Sequence, residues 1–526
     1  MSLTYKQAKL VQSTLPALRE HGEHIASVFY ATMLQEHPEL KHYFNTVNQA
    51  NGRQPRALTA IIIAFAANIA HTSELAPRLE RVCHKHCSLG IRPDQYAIVG
   101  EYLIRAFRGV LGAAMTPDVE AAWTEAYCLL ARMMMGREAH LYRSFGPWQG
   151  WRTLRVDRKV AESDDTYSFY LVPVPDGGGG SGSSSSGRAS TTSFASTGSV
   201  GTTATGGSRY SNFTNRLKTN NINILKNKMT SSRHSTLGSA SNPHNKNKNN
   251  NDNDNSLPYY LPGHVKRDAG TRFANAVAAS YFHPGAVSNA LIDHVGPGDT
   301  LEVSHPAGEF FLNLDNADGP DGSISSSASG SSSNANVPLV LVSAGIGAAP
   351  MLAILRGVAA AQPRRAVTYV HGSRDAPAVF ADELRDLQRT CPRLQTAFFY
   401  SSAAGGSPPL LSLSLSSSSS REFAGRVDLS KLTPSPSDGT TTPVTPTTPP
   451  NATLRDNSSS NHDPLFLSNG STEYFVCGPE AFMLAMAVHL VQELGISRQR
   501  IHFELFSTGD LETDSQDGRL RTFLMA

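Results

Sequence analysis

Cysteine is scarce in this chain. There are five in 526 residues, Cys83, Cys87, Cys128, Cys391 and Cys477. An odd, sparse set does not read as a disulfide framework, and it fits a reducing compartment, the cytoplasm. An excess of charge is also missing. Lys and Arg number 46 against 44 Asp and Glu, a net charge of +2. Nothing in that balance argues for a nucleic-acid partner or for stable association with an acidic membrane. Long apolar runs are absent as well. The longest, ALTAIIIAFAANIA at 57–70, is interrupted by Thr59 and Asn68 and reads as a buried helix rather than a membrane span. The first residues, MSLTYKQAKL, show no apolar core of a secretory signal.

The length points to about three domains. Residues 1–149 are free of low complexity and carry helical periodicity, as in IASVFYATMLQ and YAIVGEYLIRAF. Pro93 and Asp94 look like a helix start, with proline pre-set in the first turn and an acid near the positive end of the dipole. From 151 the character changes, and alternation in TYSFYLVPV predicts a strand. Four Gly/Ser/Thr/Asn-rich tracts follow, at 177–257, 319–336, 402–421 and 433–471. They hold too little apolar surface to offset their ordering entropy and are expected to be disordered insertions in surface loops. Between them, 287–312 reads as a helix and then strands. Residues 337–360 read as a buried strand, a glycine turn and a helix, 366–373 as a strand, 472–495 as strand, turn and helix, and 501–506 as a final strand. Strands alternating with helices predict a parallel sheet.

A histidine on an apolar helix is more often a core or surface residue than a ligand. His86 draws notice through the residues around it in the first block: Tyr30, Phe44 in HYFN, Gln54 in NGRQPRAL with Leu58 one turn on, Lys85 beside it, Tyr96 in RPDQYAIVGEYL and Glu138 in GREAHLY. Cys83, His86 and Cys87 in CHKHC stand at i, i+3 and i+4, on one helix face, which could begin a zinc site. No second Cys/His pair follows at suitable spacing, and the C-x-x-C-H of a c-type haem is absent. In the last block GIGAAP (345–350) joins a strand to a helix, where glycines let backbone approach a pyrophosphate and the helix N-terminus favours its charge. CGPEAFM (477–483) ends another predicted strand, and HGSRD (371–375) ends a third.

With these residues in place, the sequence resembles the flavohaemoglobins, in which a globin is fused to a ferredoxin-reductase-like module. The resemblance implies an all-α globin domain at 1–149, a flavin-binding antiparallel β-barrel at 150–335 and an α/β NAD(P)-binding domain at 337–526. It implies haem b ligated by His86, with Phe44 and Leu58 packing the haem face and Lys85 tuning its potential. Tyr30 and Gln54 then face bound oxygen, and Tyr96 and Glu138 form a relay behind the proximal imidazole. Read without the resemblance, Tyr96 is an interior tyrosine and Glu138 a solvated helix charge. For NAD(P)H the resemblance implies Gly345, Ile346, Gly347, Ala348, Ala349 and Pro350 at the pyrophosphate, and Cys477, Gly478 and Pro479 near the nicotinamide. Ala349 stands where the family more often has threonine. Arg374 has two readings, an adenosine 2′-phosphate contact or a surface arginine. For FAD it implies Val287, Ser288 and Asn289 together with Glu504, Leu505, Phe506 and Ser507.

The resemblance departs in the flavin block. Neither a P-G-Q-[YF] strand nor an R-x-Y-S strand is found, and a low-complexity tract stands in their place. SRYSN (208–212) has Arg209 directly before Tyr210 rather than two residues before it. Residues 154–175 match the start of the barrel, and 259–268 and 283–311 its end. Either the flavin site is impaired or the sequence has lost coding segments, and the barrel is expected to be incomplete. The implied activity is nitric oxide dioxygenase, in which nitric oxide, dioxygen and NAD(P)H electrons give nitrate, in a monomer acting on small molecules. The alternative is a globin that binds dioxygen or nitric oxide without a working reductase of its own.

Overall fold

A computed structural model describes residues 3–44, 48–49, 52–148, 150–174, 261–268, 271–275, 278–283, 285–314, 336–375, 377–403, 420–432, 463–504 and 506. The described residues fall into two compact units. One lies within 1–156, 171–233 and 298–308, the other within 157–170, 234–297 and 309–526.

Among the described residues the first unit is built on the α-helices α1 (Tyr5–Ser13), α2 (Leu15–Glu36), α3 (Arg53–Ala67), α4 (Ala76–Leu89), α5 (Gln95–Leu111) and α6 (Pro117–Ser144). Local chemistry sets several ends. Thr4 and Gln7 form a reciprocal capping box on α1. Thr116 accepts from Val119 N at the start of α6, with Pro117, Asp118 and Glu120 in its first turn. The helix expected at Pro93 begins instead at Gln95. Asp94 sits at the cap without capping, because its carboxylate pairs with Arg92 and Gln95 Oε1 accepts from Arg92 N. Leu79, Cys83 and Cys87 form the buried stripe of α4, at the spacing of one helix face. Where α2 meets α3, a Cβ on Gly22 would stand 2.4 Å from Thr59 Cγ2, so the close approach requires glycine. The core includes Phe29, Phe65, Phe107 and Trp123; a fully buried side chain of this size contributes about 1.5–3 kcal/mol.

A four-stranded sheet follows, of order β3-β2-β1-β6, from β1 (Trp151–Ser163), β2 (Thr166–Pro173), β3 (Leu261–Lys266) and β6 (Thr300–Ser304), with a separate hairpin of β4 (Thr271–Asn275) and β5 (Ala278–His283). β1 and β6 run antiparallel, Trp151 opposite Ser304. This is the partial antiparallel barrel anticipated. Helix α7 (Ala286–His294) precedes β6. The further strand expected after β6 is not formed: residues 308–312 are irregular, and Leu312 is held by burial in the next core.

The second unit holds a parallel sheet of order β10-β9-β8-β7-β11-β12. Its strands are β7 (Leu339–Ala344), β8 (Val367–Ser373), β9 (Leu394–Tyr400), β10 (Ser420–Ala424), β11 (Glu473–Cys477) and β12 (Ile501–Glu504), and its helices are α8 (Ala348–Ala361), α9 (Ala381–Thr390) and α10 (Glu480–Val488). β7 is buried on both faces, hence its unbroken apolar run. Three parts of this unit differ from expectation. The final strand stops at Glu504. Strand β10 begins inside the tract expected to be disordered, at Ser420, because its backbone pairs with β9. Residues 463–471 also belong to the fold: Leu465 is fully buried, Pro464 O accepts from Thr368 Oγ1 and Leu465 O accepts from Tyr474 Oη. Apolar Pro464 and Leu465 end the low-complexity stretch before its polar residues do. Residues 177–257 lie outside the described residues, as do most of the other three tracts.

Candidate functional site

The first site gathers residues from five elements. α4 carries His86, α5 carries Tyr96 in its first turn and α6 carries Glu138. Glu138 is 2% exposed. Its Oε1 lies 2.8 Å from His86 Nδ1 and accepts from Tyr96 Oη at 2.5 Å. Tyr96 Oη is also 3.0 Å from Nδ1. Because this carboxylate oxygen only accepts, the imidazole proton is assigned to Nδ1. Nε2 is left with its lone pair and no hydrogen bond among the described residues, the form in which imidazole binds a metal. Burial, then the Glu138 carboxylate, push the Tyr96 hydroxyl far up, so it stays a donor. Gly90 closes α4 in the left-handed region, and His86 O accepts from Ile91 N.

A second cluster of the same helical unit comes from α2 and α3. Tyr30 is 6% exposed, and its hydroxyl accepts from Gln54 Nε2 at 3.2 Å. Burial pushes it up to about 12, so the proton stays on the oxygen. That proton has no acceptor among the described residues. Phe29 and Phe44 meet the Tyr30 ring edge-on, with centroids at 4.8 and 5.4 Å, and Leu58 is half-buried against the same core. Lys85 is exposed and stands apart from the cluster.

The zinc alternative does not form. No group of three or more His, Cys, Asp or Glu among the described residues could hold a metal. Cys83 and Cys87 point into the core, their sulfurs 3.8 and 3.9 Å from Met134 O and Glu138 O, and burial pushes the Cys87 thiol up to about 12. A residue not anticipated from the sequence is Tyr127, whose hydroxyl donates to Tyr96 O at 2.6 Å. Its spacing of 11 residues before Glu138, about three helical turns, was the available signal.

In the second unit the first strand, β7, has β8 on one side and β11 on the other. The C-terminal ends of β7 and β11 therefore flank the point where strand order reverses. Gly345 has φ of +54° with open space at its Cβ position. A Cβ on Gly347 would stand 2.2 Å from Cys477 O, and one on Gly478 would stand 3.2 Å from Ala344 N. The two turns touch backbone to backbone, and only glycine permits it. Ile346 is half-buried, Ala348 is buried, and Ala349 and Pro350 are partly exposed at the start of α8. No side chain caps α8; Ala348 N donates back to Gly345 O and Ile346 O and Pro350 has no N–H, so within the first three residues Ala349 is the one whose N–H is left to an anion. Pro479 is the N-cap of α10. The Cys477 side chain is fully buried in the core beneath these turns; burial and Glu504 keep its thiol protonated. Arg374 is exposed just beyond β8, and its carbonyl accepts from Ser402 N and Oγ.

The flavin candidates are only partly assembled. Val287 is 73% exposed at the start of α7 and Phe506 is 57% exposed. Ser288 Oγ and Asn289 Nδ2 bond the backbone of Asp268, at 3.4 and 3.1 Å. Glu504 ends β12 in register with Cys477. Leu505 and Ser507 lie outside the described residues, and no described strand carries P-G-Q-[YF] or R-x-Y-S. The described residues therefore fit a haem and a dinucleotide, and only the margins of a flavin.

Comparisons with known proteins agree with this geometry. The globin family profile matches residues 27–134. A flavohemoprotein of Bordetella parapertussis is 30% identical over 505 residues, spanning 95% of this chain and 97% of that one. Another, of Deinococcus radiodurans, is 33% identical over 406 residues, 76% and 81% of the two chains. In fold, the chain is similar to the crystal structure of flavohemoglobin from Malassezia yamatoensis with bound FAD and heme. That match has a TM-score of 0.58 and 22% identity, and covers 96% of this chain and all of that one. A chain aligned over nearly its whole length with such relatives, and carrying the His86–Tyr96–Glu138 cluster on a globin fold, belongs to the flavohaemoprotein family.

Proposed function

We propose that this chain is a nitric oxide dioxygenase, an oxidoreductase that converts nitric oxide and dioxygen to nitrate with NAD(P)H electrons, using haem b and FAD. The observation that carries the reading is the division of labour between His86 and Tyr30. His86 spends one nitrogen on Glu138 and offers the other, while Tyr30 accepts from Gln54 and keeps its proton free.

Haem b, held by His86 and packed by Phe44 and Leu58, supplies a redox-active iron. The Nδ1–H bond to Glu138, reinforced by Tyr96, gives the imidazole anionic character and raises its donor strength, which favours activation of dioxygen over storage. Tyr30 presents its proton to developing negative charge on an oxygen substrate, and Gln54 orients it. Lys85, exposed beside His86, adds positive charge that tunes the potential. At the other end, Gly345–Gly347 and the N-terminus of α8 receive the pyrophosphate, Gly478 and Pro479 border the nicotinamide with Cys477 supporting them from below, and Arg374 meets an adenosine 2′-phosphate. A hydride carries two electrons and iron accepts one, so a flavin is required between them. Val287, Ser288, Asn289, Glu504 and Phe506 are the described residues assigned to it. We assign the modules the boundaries 1–149, 150–335 and 337–526. All five cysteines are free and buried, in keeping with a reducing compartment such as the cytoplasm. No helix among the described residues is long and apolar enough to cross a membrane.

The test is aerobic consumption of nitric oxide by the purified protein with NAD(P)H. Nitrate should form in equal amount, and consumption without nitrate rejects the reading. A second reading is favoured by one observation, the missing P-G-Q-[YF] and R-x-Y-S strands: a globin binding dioxygen or nitric oxide that takes electrons from a separate reductase. NADH-driven reduction of the haem in the isolated protein separates the two.

A further inference from the structure

Four polar residues lie in a row across the C-terminal ends of adjacent strands. Glu504 is in register with Cys477, Cys477 with Ser343, and Ser343 with His371. Alternate residues of a strand share a face, and Leu341, Tyr369 and Cys477 place this face in the core that α8 covers. Ser343 and His371 are both 0% exposed. Ser343 Oγ lies 2.9 Å from His371 Nδ1 and 3.3 Å from Val370 O. His371 Nε2 is sealed from solvent without a partner among the described residues. A buried imidazole with one nitrogen unsatisfied is unfavourable. Its remaining bond, to Ser343, is the interaction it is placed to make.

That bond joins two functional edges. Ser343 precedes Ala344 and the Gly345–Gly347 turn, and His371 precedes Gly372, Ser373 and Arg374. Gly372 is in register with Ala344, and a Cβ there would stand 3.7 Å from Ala344 Cβ, besides 2.7 Å from Val427 Cγ2, so the ends of β7 and β8 lie close. In a doubly wound sheet the pyrophosphate meets the turn after the first strand and the adenosine ribose meets the end of the next. We propose that Ser343 and His371 are positioning residues that set the distance between the pyrophosphate turn and the adenosine loop. The proposal rests on the reading of these two segments as the nucleotide site.

Calorimetric titration of the full-length haem-loaded protein with ADP-ribose, which spans both segments, and with pyrophosphate, which needs only the turn, tests it. Ser343→Ala and His371→Leu should each weaken ADP-ribose about tenfold, the value of one buried hydrogen bond. The double variant should be no weaker than either single one, Ser343→Thr should restore binding, and pyrophosphate should be unaffected. Should His371→Leu fail to accumulate, the serine variants carry the comparison. Unchanged ADP-ribose affinity in Ser343→Ala, or equal loss of pyrophosphate, overturns the latch while leaving the site. A wild-type protein that binds no ADP-ribose overturns the site and the latch together.

Discussion

His86 and His371 are bonded in the same way and end in opposite states. Each has Nδ1 turned inward to an oxygen, Glu138 for one and Ser343 for the other. The difference lies at Nε2. In His86 the ring is 29% exposed and Nε2 has no hydrogen bond among the described residues. In His371 the ring is fully buried. Two histidines, each held at Nδ1 by a side-chain oxygen, thus diverge by what covers the second nitrogen: an open one is suited to be a ligand, a sealed one ties strands together.

The largest way to break the comparison is to remove each ring. His86→Ala should lose haem and, with it, nitric oxide consumption by more than about a hundredfold, since partners behind a metal-binding histidine are by themselves worth 10–100-fold. His371→Ala should retain a full haem complement. Pyridine haemochrome assay of both proteins checks the pair, and equal haem loss in the two would dissolve the distinction.

Acid provides the next largest contrast. Burial holds His371 near 4, and also His264 and His502, while an unfolded histidine titrates near 6.5. The folded values are depressed, so the unfolded chain binds more protons between these limits. Stability is therefore full above about pH 6.5 and falls as pH drops toward 4. For fully buried His371 this amounts to roughly 3 kcal/mol. All three lie in the second unit, and no histidine of the first is depressed as far among the described residues. Proteolysis should cut within the second unit by pH 5 while the Soret band persists. Loss of the Soret band first would contradict the assignment.

The same contrast explains what the sequence could tell. Tyr30, Gln54, His86, Tyr96 and Glu138 lie on five helices of one dense block; their roles were legible through the family resemblance, because taken alone Tyr96 reads as an interior tyrosine and Glu138 as a solvated helix charge. The nucleotide turns were legible because glycine is demanded at 347 and 478 by backbone contact and at 345 by a left-handed φ. Less was legible where contacts are long-range. Ser420 and Leu465 lie in polar, repetitive sequence, and their place in the fold comes from pairing with β9 and from burial against Tyr474. Strand β1, with its polar outer residues, carried no alternation strong enough to announce thirteen residues of sheet. Cys477 was expected near the nicotinamide; its side chain is buried, on the face of β11 that also buries Phe475. No local pattern distinguishes His371 from a surface histidine after a strand.

A milder perturbation leaves each ring and changes its partner. Glu138→Gln keeps the shape but removes the charge that draws the His86 Nδ1 proton. The imidazole becomes a weaker donor, so the haem midpoint potential should rise and turnover fall about tenfold. Potentiometric titration reads the first effect. Ser343→Ala, the matching change at His371, should leave the haem potential where it was. A shift in both would mean the potential responds to general destabilisation rather than to the Glu138 charge.

The smallest effect is expected at Arg374. Its guanidinium is exposed and forms no ion pair among the described residues, while its backbone is fixed by Ser402. An exposed charge-assisted contact is screened by solvent and salt, so Arg374→Ala should raise KM for NADPH only about threefold to tenfold, a change of roughly 1 kcal/mol. KM for NADH should not move, because that cofactor lacks the 2′-phosphate, and kcat should hold with either. The effect should shrink further at high salt. Parallel rises for both cofactors would make Arg374 a surface residue that shapes the loop. An unchanged NADPH value would leave cofactor choice to the rest of the β8 end, where Asp375 is the adjacent polar group able to accept from a ribose hydroxyl.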